Sequence, residues 1–119
     1  MFVLPSTIVS LSLQAPGTRR FVRKEFSLSL KGPTPIVISK KPFTGSLFIT
    51  GAVREQVPLL VQILTEDSCF ISEVRVTINP NDAAVVRIPW LPSVRVQLRA
   101  LDGRSFDVKV MAIGVEGGV

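Results

Sequence analysis

Apolar side chains recur at every second position in one segment of the chain after another: Val9, Leu11 and Leu13; Phe26, Leu28 and Leu30; Ile36 and Ile38; Leu47 and Ile49; Val74, Val76 and Ile78; Val94, Val96 and Leu98; Phe106, Val108 and Val110. A period of two is that of an extended strand, whose successive side chains point to opposite faces, so each run predicts a strand with one buried side. Turn chemistry separates the runs. Pro16-Gly17 suits a type II turn, Pro80 after Asn79 predicts a type I turn, and Asp102-Gly103 offers the positive φ of a tight hairpin. The stretch 56–66 is ambiguous, because Val57, Leu60, Val61 and Leu64 fit a helical stripe while Leu59, Val61 and Ile63 fit a strand. It reads as a strand: the apolar run is short, Pro58 is tolerated at a strand's start, and Thr65 to Ser68 reads as a turn. About eight to nine strands in so short a chain predict an all-β, antiparallel two-sheet β-sandwich, in jelly-roll or immunoglobulin-like Greek-key order.

A chain of 119 residues builds one core rather than two. Residues 1–18 form an N-terminal strand or arm ending in Ala15-Pro16-Gly17, and 19–119 the sandwich domain. Such an arm adds a strand to a neighbour's sheet edge, unless it is simply the domain's own first strand. The apolar start lacks a basic leader and is broken by Pro5, so it reads as mature protein rather than a signal peptide. No run approaches the ~18 consecutive apolar residues of a membrane-spanning helix, which argues against membrane insertion.

Composition adds a surplus to this picture. Hydrophobic residues make up 46% and charged residues 19%, so apolar atoms should be plentiful on the surface, and part of that surface is expected to lie under a neighbouring subunit. The net charge of +5 is concentrated early: up to Phe43, seven basic residues face Glu25 alone, whereas from Thr44 onward seven basic residues meet eight acidic ones. This asymmetry attracts acidic protein faces or phosphates. Cys69 is the single cysteine, which excludes an intramolecular disulfide and reads as a small buried hydrophobe.

Candidate chemistry is sparse. There is no histidine and no tyrosine, so the commonest general base is missing, and the acidic residues are scattered except for the pair Glu66-Asp67, too few oxygens for calcium. One cysteine without histidine cannot supply a zinc site, and no glycine-rich phosphate loop is present. Catalytic, metal and cofactor-binding residues are therefore expected to be absent, and with them any cofactor. Two features suggest binding instead. Arg19-Arg20-Phe21-Val22-Arg23-Lys24 gathers four cations; as a strand it sets Arg19, Phe21 and Arg23 on one face and Arg20, Val22 and Lys24 on the other. On an edge strand such cations also block unwanted pairing. Trp90 stands between Pro89 and Pro92, stiffened as an interface anchor or as a plug for one end of the sandwich.

These readings converge on a non-enzymatic structural or decoration subunit of a larger symmetric assembly, with a viral or bacteriophage virion as the natural host by analogy of fold. Its partners would be protein subunits of the same assembly. Its partner-binding residues would be Arg19, Arg20, Arg23 and Lys24 for acidic surfaces, Trp90 and Leu91 as apolar anchors, and Phe2, Val3 and Leu4 as the tip of the arm. The alternatives are an oligonucleotide-binding barrel, which fits the basic run but lacks interleaved aromatics, and an immunoglobulin-like adhesion or carbohydrate-binding module, which would normally show more than one Trp or Tyr.

Overall fold

The computed structural model describes residues 19–67 and 69–117. Eight strands follow one another: β1 (Arg19–Leu30), β2 (Thr34–Ser39), β3 (Phe43–Gly51), β4 (Val57–Leu64), β5 (Phe70–Ile78), β6 (Ala84–Leu91), β7 (Val94–Ala100) and β8 (Phe106–Gly117). They form two antiparallel four-stranded sheets, a front sheet in the order β1-β8-β3-β6 and a back sheet in the order β2-β7-β4-β5. Among the described strands only β4 and β5 are both consecutive and paired; every other connection leaves one sheet for the other. That alternation is the jelly roll, so of the two Greek-key orders the sequence allows, the structure takes this one.

The alternating apolar positions become the core. Leu30, Ile36, Ile38, Leu47, Ile49, Val61, Ile63, Ile78, Val86, Val96, Leu98, Val108 and Val110 are all buried between the sheets. The ambiguous segment 56–66 is a strand, and its inward Val57, Leu59, Val61 and Ile63 are fully buried. Leu60, on the outer face, is buried too, and it lies directly opposite Arg75 and Arg99 on the flanking strands, residues whose long aliphatic stems typically cover apolar neighbours. β6 is a strand that the alternation does not single out, since Pro89 and Pro92 interrupt its pattern. It is tolerated because β6 is an edge strand and Pro89 falls in a bulge.

Two expected turns take different forms. Asp82 N–H donates to Asn79 O, with Pro80 and Asn81 between them, but Asn81 has φ 61°, which makes the turn type II rather than type I. Asparagine tolerates that left-handed conformation at little cost. Gly103 does have positive φ (78°), yet β7 and β8 lie in different sheets, so the Asp102-Gly103 turn carries the chain across the sandwich and is not a hairpin.

In the front sheet Gly45 of β3 lies opposite Gly114 of β8. A Cβ on Gly114 would stand 2.1 Å from Thr44 O, and one on Gly45 2.2 Å from Ile113 O. The two backbones approach too closely there for any side chain, and the Phe43 ring covers the gap, reaching within 2.9 Å of where the Gly114 Cβ would be.

Candidate docking surface

The pairing register orders the outer face of the front sheet into rows. At one end Phe21, Val115 and Thr44 lie side by side, and the β6 bulge sets Pro89-Trp90 opposite Thr44. The next row is Arg23, Ile113, Ser46 and Arg87, and the one after it Glu25, Met111, Phe48 and Val85. Each row spans about 14 Å across four strands. Phe21 is 86% exposed, Val85 52% and Trp90 51%, with Ile113 also exposed. An apolar band therefore crosses this face, flanked by Arg23 and Arg87. Beside it a groove of about 320 Å³ is lined in part by Phe48, Met111, Thr50 and Lys109. The outer face of the back sheet differs: Arg75, Arg99, Gln62, Glu73 and Gln97 dominate its middle, with exposed Val37, Phe70 and Ile71 at one end.

The bulge explains how Trp90 comes to be displayed. Between the pairs Phe43–Leu91 and Gly45–Ile88, β6 holds one residue more than β3, so Pro89 and Trp90 both turn outward while Leu91 returns to the core. The Thr44 hydroxyl donates to Ile88 O at 3.0 Å and fixes the distortion. Of the two apolar anchors read from the sequence, Trp90 is on the surface and Leu91, 8% exposed, packs inside.

The basic run divides as its alternation requires. Arg19, Phe21 and Arg23 face outward, and the Arg23 guanidinium meets Glu25 at 3.0 Å and Met111 Sδ at 3.2 Å. Lys24 faces inward. Its ammonium donates to Glu116 Oε2 at 2.5 Å and to Ile38 O at 2.8 Å, tying β1 to β8 and to the opposite sheet. Arg20 lies opposite Glu116 on the neighbouring strand, 3.7 Å from its other oxygen, and is largely exposed. Lys24 is thus engaged inside the molecule, while Arg19, Arg20 and Arg23 remain available at the surface. Phe2, Val3 and Leu4, with the rest of 1–18, lie outside the described residues.

Glu116 is the centre of this end of the sandwich, with a side chain only 5% exposed. Ser39 Oγ lies 2.6 Å from Oε2 and accepts from the Lys41 N–H at 3.1 Å. Ser39 reaches it because β2 carries a bulge between Val37 and Ser39, which turns Ile38 and Ser39 both inward. Burial pushes the Glu116 carboxyl up, but the hydrogen bonds from Lys24 and Ser39 and the charges of Lys24 and Arg20 outweigh it, holding the group below its ordinary value of 4.5. Sequence reasoning missed Ser39, since a bulge leaves no mark in the alternation, and it missed Glu116 although the unbroken parity of β8 from Val108, Val110 and Ala112 sets that residue inward. The outward apolar residues of β8 had a legible signal: Val110 to Val115 is uninterrupted by a polar residue, the pattern of a strand covered on both faces.

At the β4–β5 end, Asp67 accepts from the Thr65 hydroxyl and from Cys69 N–H at 3.3 Å, capping its own turn. These bonds hold its carboxyl below the ordinary range, that from Thr65 most strongly. Cys69 is exposed in this turn, which corrects the expectation of a buried thiol: alternation resumes only at Phe70, and the bulge opposite Ile63–Leu64 leaves no inward position for residue 69. Among the described residues no three metal-ligating side chains gather.

No protein-family model matches the chain, and no curated protein matches it by sequence. Solved structures do resemble it. A chain from Bacillus endospore appendages, a family of disulfide-linked pili, superposes with a TM-score of 0.52 at 11% identity, over 93% of this chain and 100% of that one. The Drosophila NLP-core, studied for pentamer formation and histone binding, gives 0.43 at 11% identity over 81% and 97%. An infectious bursal disease virus structure (Gx strain) gives 0.31 at 10% identity over 97% and 41%. At 11% identity the likeness to the appendage chain shows the fold alone.

Proposed function

We propose that this chain is a non-enzymatic structural subunit that docks through the outer face of its front sheet onto neighbouring subunits of a larger symmetric assembly, with a virion as the natural host. The observation carrying this reading is the apolar band from Phe21 through Ile113 and Met111 to Val85 and Trp90, on a face that no other described residue covers. Aromatic side chains rimmed by arginine have the composition of a protein interface core. The chain's lack of histidine and tyrosine fits a role without acid–base catalysis. Jelly rolls also serve widely as building blocks of capsids. Binding only to the assembled lattice would stabilise that lattice by mass action, and repetition of weak contacts would supply avidity. The test is the native mass of the full chain, and its co-sedimentation with candidate particles, for the parent and for Phe48→Glu and Ile113→Glu. A charge in the band should abolish co-sedimentation and any species larger than a dimer, and unchanged association of both variants would refute the docking face.

A second reading draws on the same face. Phe21, Phe48 and Trp90 interleave with Arg23, Arg87 and Lys109, an arrangement suited to stacking bases while neutralising phosphates. It requires submicromolar binding of single-stranded oligonucleotide that weakens steeply with salt. Titration at two salt concentrations separates the two readings.

A further inference from the structure

The four outer strands of the sandwich are unequally protected. β2 carries Pro35 and a bulge between Val37 and Ser39, β6 carries Pro89 and a bulge opposite Thr44, and β5 carries a bulge at Ile71. Each of these breaks the row of backbone groups that another strand would need. β1 has no such break. From Arg19 to Leu30 it contains no proline, and its register with β8 runs without a shift from Arg19–Gly117 to Leu30–Phe106. Among the described residues β8 is its one partner strand, so its second edge is a long, regular template.

We infer that β1 pairs antiparallel with β1 of a second copy of this chain, on a dyad at Lys24, joining the two front sheets into one. The side chains select this register. With Lys24 on the dyad, Arg23 faces Glu25 of the partner and Glu25 faces its Arg23, giving two symmetric ion pairs on the outer face. On the inner face Val22 meets Phe26, and both are half-buried side chains that pack against the core and gain cover from the partner. Phe21 meets Ser27, and Arg19 meets Ser29. The two Lys24 side chains approach each other, but each ammonium is already neutralised by its own Glu116 at 2.5 Å. Moving the dyad by one residue sets Arg23 against Arg23 or Glu25 against Glu25, and loses both ion pairs. The Arg23–Glu25 contact within one strand, at 3.0 Å, shows that these groups already lie on the same face with opposite charge, ready to exchange partners across the dyad.

The pairing rests on the strand edge and not on the apolar face, so it goes beyond the docking proposed above and stands or falls separately. The experiment is sedimentation equilibrium of the full chain over a dilution series, for the parent and for Arg23→Glu, Glu25→Arg, the double exchange R23E/E25R and Phe48→Glu. The parent should dimerise. Each single reversal should weaken the dimer about tenfold by setting like charges opposite each other at two symmetric places. The double exchange should restore it, a recovery that a general loss of fold would not produce. Phe48→Glu, two strands away from the edge, should leave the dimer intact even where it abolishes docking of the face. A parent monomeric at every concentration, with its edge occupied by residues 1–18 or left bare, overturns the proposal. So does a dimer indifferent to the single reversals, or one that the double exchange fails to restore.

Discussion

Lys24 and Glu116 meet in the gap between the two sheets, with the ammonium 2.5 Å from a carboxylate that is almost wholly buried. The lysine belongs to the run of cations that reads as a binding surface in the sequence, yet its charge is neutralised inside the molecule. Removing the lysine should be more damaging than a surface ion pair would suggest, because the carboxylate would keep only Ser39 and the more distant Arg20. We expect Lys24→Met to cost about 3 kcal/mol, the range for breaking a buried pair from one side. Glu116→Gln should cost less, because Lys24 retains enough exposure to be hydrated. Urea denaturation of the two variants checks both the size and the order.

The same carboxylate gives stability a dependence on acid. Its folded pKa lies below the unfolded value, so the unfolded chain binds its proton first as pH falls. The contribution is fully present above the ordinary value of 4.5 and is lost as pH drops through the lower folded value. The urea midpoint should therefore hold level from neutral pH to about 5 and then fall, as expected of a carboxylate stabilised in the folded state. In Glu116→Gln the fall should be shallower, and an unchanged slope would show that this group does not govern it.

Gly114 should tolerate no side chain. A Cβ would fall 2.1 Å from Thr44 O and 2.8 Å from the Gly45 Cα, both backbone atoms that cannot step aside without parting β3 from β8. Gly114→Ala is expected to lose about 3 kcal/mol or more, at the upper end for overpacking, and thermal denaturation measures it.

Trp90 and Leu91 are neighbours in sequence with opposite expected behaviour. Trp90→Ala should change stability by no more than about 1 kcal/mol while removing an anchor from the docking face. Leu91→Ala should cost about 2 to 3 kcal/mol with the docking face left intact. Because Trp90 is the single tryptophan, its emission should shift to the blue when a partner covers the face, and an emission that does not move with binding would take Trp90 out of the interface.

The strands were legible because burying one side of an extended chain stamps a period of two on it; Leu47-Ile49 and Val94-Val96-Leu98 show this, and even Lys24 obeys the parity. β6 was less legible, since Pro89 is read as a breaker wherever its place in the sheet is unknown. The docking face was visible as a composition surplus and in the unbroken apolar run Val110 to Val115, but not as one surface. Phe21 and Trp90 lie far apart along the chain, and nothing local says that β8 and β3 will stand between them. Cys69 was misjudged for a related reason: the burial of one residue in a turn depends on where the neighbouring bulge falls.

By itself, then, the sequence determined the strand period, the all-β class, the parity of each strand and the early concentration of positive charge, all of which are local properties of a chain that must bury its apolar side chains. The order of strands, the bulges that turn Ser39 inward and Trp90 outward, and the meeting of Lys24 with Glu116 were decided only by the tertiary structure. These depend on pairing between segments distant in sequence. Such pairing is selected by how two whole sheets close over one shared core, and no single segment encodes it.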